Sequence, residues 1–322
     1  MNNAEKDWNL ASLFIPNFIG KRVQYLNSKE RFVHYTSAIN AISIIRSKRI
    51  WMRNVKCMND FMEIEHGFDL LVRFFQKDSK TRERFFQSMN AFWPDQVELA
   101  FKNFEAWLGH IRENTFVACI SEHEPSEDRL GRLSMWRAYG NQNIGAALVI
   151  NSSPFNVIDD VGIISSPVLY VDEHQFFSGL ENCLDNVDKN HDFIKSHGPE
   201  KFNEMIFLLL FVHALCVKHP GFHEEREWRI IYIPEMWDAG DLIEQKVEMA
   251  SGVPQIVHKL KLENTASRKL TAISPNDLID RVIIGPCAFP MTVKEAFISE
   301  LRQAGVENAE KKVFMSEIPL RT

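Results

Sequence analysis

The sequence predicts an α+β fold, in which a mixed sheet is combined with helical insertions. Short segments that contain β-branched or aromatic residues, such as 31–37, 145–151 and 281–286, have the length and composition of strands. Longer segments, such as 64–75 and 200–218, repeat apolar residues at helical spacing. Strands and helices do not alternate strictly, as they would in a doubly wound fold, so the α+β class is favoured.

The composition indicates a soluble globular protein of the reducing cytosol. Of 322 residues, 45% are hydrophobic and 25% charged, and the net charge of -6 provides no general attraction to nucleic acid or anionic membranes. The first residues, MNNAEKDW, are too polar for a secretory signal, and the most apolar run, 205–217, is too short to cross a bilayer. Five scattered cysteines without a CxxC pair favour reduced thiols. We therefore expect a cytoplasmic protein without a membrane partner.

The predicted domain organisation is simple, because no repeat or Pro/Gly/Ser-rich linker interrupts the chain. Residues 1–30 form a leader whose apolar residues, among them Phe14 and Phe18, are expected to pack onto the body. Residues 31–322 form a single domain with a helical insertion at about 60–113.

Several elements can be placed in chain order. RFVHYTS (31–37) predicts a strand, and Thr36 or Ser37 can cap the helix that follows. Further strands are predicted from Ile50 and at 115–122, 145–151 and 167–171. QIVHKLKL alternates, with Ile256, Leu260 and Leu262 expected to point inward.

The segment HEEREWRIIY (223–232) combines carboxylates with a buried strand. Side chains two apart on a strand share a face, so Glu225, Glu227 and Arg229 are expected on one face, with Arg226 and Trp228 on the other. A solvent-exposed strand edge would have the same residue pattern and is the alternative interpretation. A second polar cluster, residues 34–37, also ends an apolar strand, which favours a functional site.

Trp136 and Tyr139 are three residues apart, as on one side of a short helix that Gly140 would end. They suit a hydrophobic core, but the nearby Arg132 and Arg137 also suit an aromatic platform for a nucleotide. The sequence contains no GxGxxG after a strand, no GxxxxGK[ST] and no GxSxG, so Rossmann, P-loop and α/β-hydrolase sites have no support.

A zinc site is not favoured by the histidines near the end of the long helix. His213, His219 and His223 are separated by Pro220 and Gly221, which break the helix and its ligand spacing. No metal is expected.

The motifs as a set resemble a bacterial family called domain of unknown function 2971. They are HYTS, CMND with Glu63, SMWRAYG before GAALVI, EEREWRI, IIGP and SEIPLR, and they extend from about residue 31 to 321. That family name implies no activity.

A more distant resemblance is to ADP-ribosyltransferases, which implies a mainly antiparallel sheet of the ADP-ribosyltransferase-like type. Those enzymes place a His or Arg on the first strand, a Ser or Tyr in the middle of the chain and a Glu late on a strand. His34 and Glu227 match the outer positions, and Glu225 with Glu227 has the form of the Glu-x-Glu motif. Ser121 and Tyr139 are both eligible for the middle position.

The resemblance implies that NAD is the substrate and that the biology is that of a toxin or phage-defence effector. The acceptor, a nucleic acid or a protein, is not determined, and an antitoxin or defence partner is part of the expectation. Glu227 would stabilise charge on the ribose, and Glu225 would orient or deprotonate the acceptor. The residues expected to contact NAD are His34, Tyr35, Thr36, Ser37, Ser121, Trp136, Tyr139 and Arg229.

Two alternatives stay open from the sequence. Asp60, Glu63, Glu225 and Glu227 could hold Mg²⁺ in a metal-dependent nuclease, although Asn59 or Asp60 with Glu63 also forms a helix cap. The other alternative is a non-enzymatic module that binds a nucleotide near residues 136–139.

Overall fold

The secondary structure comes from a computed structural model that describes residues 3–28, 30–58, 64–76, 80–139, 144–157, 161–250 and 252–319. The strands are β1 (Arg31–Ser37), β2 (Arg49–Asn54), β3 (Phe116–His123), β4 (Gly145–Asn151), β5 (Ile164–Pro167), β6 (Leu169–Tyr170), β7 (Val217–Lys218), β8 (Glu227–Tyr232), β9 (Ile243–Ala250), β10 (Val253–Lys261), β11 (Ile279–Ile284) and β12 (Val313–Met315). The helices are α1 (Asn3–Phe14), α2 (Pro16–Asn27), α3 (Ala38–Ser47), α4 (Glu65–Gln76), α5 (Lys80–Asn90), α6 (Pro94–Glu113), α7 (Leu133–Tyr139), α8 (Glu173–Lys189), α9 (His191–Lys195), α10 (Gly198–Leu215), α11 (Pro275–Leu278), α12 (Pro290–Gln303) and α13 (Ala309–Lys312).

The chain divides into two compact units, each assembled from three separate segments. The first contains residues 1–24, 55–115 and 166–223, and the second contains 25–54, 116–165 and 224–322. The leader, the single domain and its helical insertion at about 60–113 stay predictions.

The first unit is mainly helical and is centred on α10. This helix is buried on most sides, as its continuous apolar sequence predicts, and it packs against α4 and α6. Phe14 of α1 reaches the same core, where its ring lies 5.8 Å from that of Phe202. In the described part of the chain, no helix combines the length and apolar character needed to cross a membrane.

His213 is a buried titratable group within this core. Its Nδ1 lies 2.7 Å from the carbonyl oxygen of Leu209, and the rings of Phe18 and Phe176 meet its ring edge-on at 5.1 and 5.3 Å. Burial lowers the pKa of His213 to about 4, although the Leu209 carbonyl opposes part of that shift. The imidazole is therefore neutral in the native protein at pH 7.

Replacing His213 by phenylalanine is expected to flatten the acid side of the stability profile. The unfolded chain takes up the proton near pH 6.5, before the native state does, so the wild type loses stability as pH falls toward 4. Between pH 7 and 5 the wild type should lose about 2 kcal/mol more than the variant. Urea unfolding at several pH values measures this, with the exposed His174→Gln as control. Parallel profiles for wild type and His213→Phe would contradict the prediction.

The second unit contains a 10-stranded open sheet. Its order is β12-β11-β4-β1-β3-β2-β10-β9, and in addition β8 pairs with β3 and β5 with β8. The pairs with β1, β2, β3 and β10 are antiparallel, whereas β11 and β12 are parallel. The α+β class with a mainly antiparallel sheet is thereby confirmed, and its ADP-ribosyltransferase-like type stays a prediction.

Two hydrophobic clusters lie on the two faces of this sheet. The larger includes Phe32 and Leu148 together with α3 and α12 residues such as Ile45 and Phe297. The smaller includes Tyr35 of β1 and Trp136 of α7, with residues of β4 and β11. We call the first the major face and the second the minor face.

Two predictions about strands are wrong in detail. The segment 167–171 is not one strand of the main set, because β5 ends at Pro167 and pairs with β8, whereas β6 pairs with β7 in a separate two-stranded sheet. Ile256 does not point into a core but is 45% exposed, since it lies near the start of β10, where its partner Val247 on β9 is exposed as well. Leu260 and Leu262 are buried as predicted.

Candidate functional site

Four of the residues singled out from the sequence, His34, Ser121, Glu227 and Arg229, lie on β3 or on strands that pair with it. One side of β3 pairs with β8 along its length, from Phe116 to Ser121. On its other side β1 pairs with residues 121–123 and β2 pairs with residues 116–117, so these two strands meet opposite ends of β3. We call the interval between them, residues 118–120, the β3 gap.

Ser121, Glu227 and Arg229 lie together on the minor face. Ser121 is paired with Glu227 and Cys119 with Arg229, and paired residues share a face of the sheet. Val33, which is paired with Ser121, belongs to the minor-face cluster and fixes the assignment. The predicted sharing of one face by Glu227 and Arg229 is therefore confirmed.

Glu227 and Arg229 form a buried ion pair. Arg229 Nε donates to Glu227 Oε1 at 2.8 Å, and Arg229 is only 1% exposed and Glu227 only 4%. Two charges removed from water are tolerated when each is paired, because the attraction between them offsets part of the desolvation cost. The pair places a carboxylate and a guanidinium in a low-dielectric part of the sheet, where their electric field is strong.

The His34 side chain lies at the β3 gap, but it leaves β1 on the major face and not on the minor face that holds Glu227. It is paired with Leu148 on β4, and both Leu148 and Phe32 belong to the major-face cluster. The ring then reaches sideways, so that Nδ1 lies 2.9 Å from the carbonyl oxygen of Cys119. The His34 ring thus contacts β3, the strand that carries Ser121. Its side chain leaves β1 on the major face, however, whereas Glu227 lies on the minor face.

The hydrogen bond to Cys119 determines the chemistry of the His34 ring. A carbonyl oxygen only accepts, so Nδ1 carries the proton and Nε2 is left as an acceptor in the neutral ring. Burial lowers the pKa of His34, and the Cys119 carbonyl opposes this only in part. At neutral pH the imidazole is therefore uncharged, and its Nε2 can accept a hydrogen bond from a hydroxyl group.

The two aromatic residues of α7 have different environments. Trp136 is 1% exposed, its Nε1 donates to the Leu130 carbonyl at 2.8 Å, and its ring meets Tyr35 edge-on at 5.1 Å. The Tyr35 hydroxyl accepts from the backbone N–H of Arg132 at 2.9 Å. Trp136 and Tyr35 therefore belong to the hydrophobic core and do not form a platform for a ligand. Tyr139 is 40% exposed and is left as the aromatic residue that a ligand ring can reach.

Thr36 and Ser37 serve the start of α3. Ser37 is its N-cap, as predicted, and its side chain accepts from the backbone N–H of Asn40. The Thr36 hydroxyl accepts from the Asn40 side chain at 3.3 Å. Both hydroxyls thus have a local structural role in ending β1 and beginning the helix.

Glu225 is not part of the strand, which corrects the predicted alternation from Glu225 to Arg229. A 3₁₀ turn spans Pro220–Glu225, and Arg226 follows with φ of 45°, a conformation that interrupts an extended chain. The strand begins at Glu227, so the face of Glu225 cannot be inferred from strand periodicity. Glu225 is half-buried at the entrance to β8.

The Arg132 side chain binds the backbone carbonyl groups of this turn. Its Nη1 donates to the carbonyl oxygens of Glu224 and Glu225 at 2.8 and 3.2 Å, and its Nη2 donates to the Glu122 carbonyl at 2.9 Å. Its Nε also pairs with Glu127 at 3.1 Å. Arg132 therefore positions the start of β8, rather than presenting a free cation beside Trp136.

A network of ion pairs surrounds Arg132 and was not recognised in the sequence. Arg226 pairs with Glu124 and Glu127, and His123 Nε2 lies 2.9 Å from Asp128. Burial alone would raise the pKa of Glu127, but Arg132 and Arg226 outweigh it and hold that pKa below its usual range. His123, Glu124, Glu127, Asp128 and Arg132 lie within one short segment, whereas Arg226 is 99 positions from Glu127, so the complete network could not be recognised from local spacing.

Residues 135–230 match a family described as protein of unknown function (DUF2971). The resemblance to domain of unknown function 2971 is confirmed over this segment. A search of curated proteins and a search of solved structures each found no match. The resemblance to ADP-ribosyltransferases stays a prediction.

The DUF2971 match covers only part of the candidate site. It begins within α7 and ends within β8, so it contains Tyr139, Glu227 and Arg229, whereas His34 and Ser121 precede it. The acidic residues Asp60 and Glu63 of the nuclease hypothesis lie outside the described residues. Within the described ranges, no group of three or more His, Cys, Asp or Glu residues could hold a metal ion.

Proposed function

We propose that this protein binds NAD and transfers ADP-ribose from it, acting in the cytoplasm as a toxin or phage-defence effector. The observation that carries the proposal is the meeting of β1, β3 and β8. It brings His34, Ser121 and Glu227 onto three adjacent strands, in the chain order that ADP-ribosyltransferases use. The DUF2971 match is compatible with this function but names no activity.

Glu227 is the residue proposed to stabilise the transition state. Loss of nicotinamide leaves positive charge on the ribose, in an oxocarbenium-like state related to that of glycoside hydrolysis. A carboxylate fixed in a water-poor site stabilises such charge more strongly than one in water. Arg229 Nε holds Oε1 of this carboxylate, so the pairing orients Glu227 and leaves its second oxygen, Oε2, as the one that would face the ribose.

Other residues would bind and orient the substrates. The neutral His34 ring offers Nε2 as acceptor for a ribose hydroxyl, and the exposed Tyr139 ring offers a surface for stacking. Between the two candidates for the middle position, Ser121 is favoured, because it is the direct neighbour of Glu227. Glu225, half-buried before β8, would orient or deprotonate the acceptor, a protein or a nucleic acid.

Glu227→Gln is expected to abolish NAD turnover while NAD binding persists. The amide keeps the shape of the side chain but removes the charge that opposes the oxocarbenium ion, so nicotinamide release should fall by about 100-fold or more. Thermal unfolding with millimolar NAD measures binding, since a ligand of the native state raises Tm. Nicotinamide release measures turnover on the same samples.

The exposed Glu224→Gln is the matched control, because it removes a charge three residues away and should leave turnover intact. Wild-type protein whose Tm does not respond to millimolar NAD would overturn the proposal. A Tm shift without nicotinamide release by the wild type would instead indicate the non-enzymatic nucleotide-binding module. Full turnover by a folded Glu227→Gln protein would remove Glu227 from the catalytic role.

A further inference from the structure

The outermost strand of the sheet, β9, has an open edge. It is the end member of the strand order, and among the described strands it pairs with β10 alone, over eight consecutive residue pairs from Ile243 to Ala250. An edge of this length presents a row of backbone donors and acceptors on which another strand can pair. The strand contains no proline to block such pairing.

One face of this edge is also apolar. Val247 is 71% exposed and Met249 is 62% exposed, and both lie on the same face because they are two residues apart. Ile256, directly opposite Val247 on β10, adds to the same patch. An apolar patch beside an unpaired edge is a typical site of protein association.

The other face of β9 has alternating charges, and a partner strand must be complementary to them. Glu244, Lys246 and Glu248 follow one another there, with Lys246 Nζ 2.9 Å from Glu244 Oε1. A lysine in the middle of an edge strand normally discourages pairing with another chain. A partner that places a carboxylate opposite Lys246 removes that obstacle.

We propose that β9 pairs with β9 of a second copy of this chain, antiparallel, with Val247 opposite Val247. In this register Lys246 faces Glu248 of the second copy, and the same pair forms again by symmetry. The two Val247 side chains meet on the apolar face, beside Met249. The dimer joins the two sheets into one continuous sheet.

Other antiparallel registers of the same strand are less favourable. Centring the pair on Lys246 places Lys246 opposite itself and Glu244 opposite Glu248, so that only like charges meet. Centring it on Gln245 pairs opposite charges but aligns only residues 243–247, because β9 begins at Ile243. The register centred on Val247 aligns residues 244–250 and so forms the longer ladder.

Charge reversal at the two positions tests the proposal. Lys246→Glu and Glu248→Lys each place like charges opposite one another twice, and each should raise the dimer Kd by about tenfold or more. An equimolar mixture of the two variants restores both opposite-charge pairs, because each substituted side chain then faces the substituted side chain of the other variant, which has the opposite charge. The two unsubstituted charges of the heterodimer face each other in the same way. Sedimentation velocity at micromolar concentrations and native mass spectrometry should show wild-type homodimers, monomeric single variants and heterodimers in the mixture.

Glu248 also pairs with Lys259 of its own chain, so Glu248→Lys is checked for folding by circular dichroism. Val247→Asp is the second variant, because this exposed side chain leaves the fold unaffected while two carboxylates would meet at the dimer axis. A wild-type protein that stays monomeric would overturn the proposal. A dimer that resists Val247→Asp and both charge reversals would place the interface elsewhere and overturn it equally.

Discussion

Arg229→Met is expected to destabilise the protein by about 3–5 kcal/mol, because it removes the guanidinium that pairs with the buried carboxylate of Glu227. The loss arises from the charge and not from packing, since methionine fills much of the space of the arginine stem. Urea unfolding monitored by tryptophan fluorescence measures the change in the free energy of unfolding.

The double variant Glu227→Leu/Arg229→Met separates the charge effect from packing. Two apolar side chains need no partner, so the double variant should recover most of the stability that Arg229→Met loses. The exposed ion pair of Arg129 with Glu317 provides the control, and Arg129→Met should cost less than about 1 kcal/mol. A double variant that is as unstable as the sum of its two single variants would show that the ion pair is not the cause.

Trp136→Ala is expected to cost about 3–5 kcal/mol, as is usual when a buried indole is truncated. The cavity would form where the backbone packs closely against the Trp136 ring. A side chain built at Gly285 would bring its Cβ within 2.9 Å of the Trp136 ring, and Gly131 also adjoins that ring. The loss would appear in urea unfolding and in the near-ultraviolet circular dichroism of the aromatic residues.

Tyr139→Ala on the same helix distinguishes the core role of Trp136 from a general weakening of α7. Tyr139 is 40% exposed, so its truncation should cost less than that of Trp136, about 1 kcal/mol. The same variant should weaken NAD binding if Tyr139 is the stacking residue of the proposed function. Comparable losses of stability for the two variants would contradict the separation into a core and a ligand-facing aromatic residue.

Local signals predicted much of the secondary structure. The strand at 31–37, its Ser37 cap and the strand at 145–151 have the predicted bounds, because apolar alternation and capping act between near neighbours in the chain. Strand β9 was missed, since its alternating Glu and Lys residues reduce its apolar character. Glu225 was assigned to a strand because the letters alone do not reveal the positive φ of Arg226.

The candidate site could be predicted only as a set of residue types. The sequence singled out Glu227 and Arg229 and their common face, because strand periodicity fixes both. It could not place the His34 ring at the Cys119 carbonyl, nor exclude Trp136 from a ligand platform, since both depend on how distant strands and helices meet.

Residue types and their spacing were enough to predict the α+β class, the resemblance to DUF2971 and the polar character of β8. Each of these depends on residue type and on spacing along the chain. Three features became visible only in the folded chain: Ser121 is the neighbour of Glu227, Arg132 holds the turn before β8, and β9 is an edge strand. Strand pairing brings together residues about a hundred positions apart, and the register that does so is set by the whole sheet and not by any one segment.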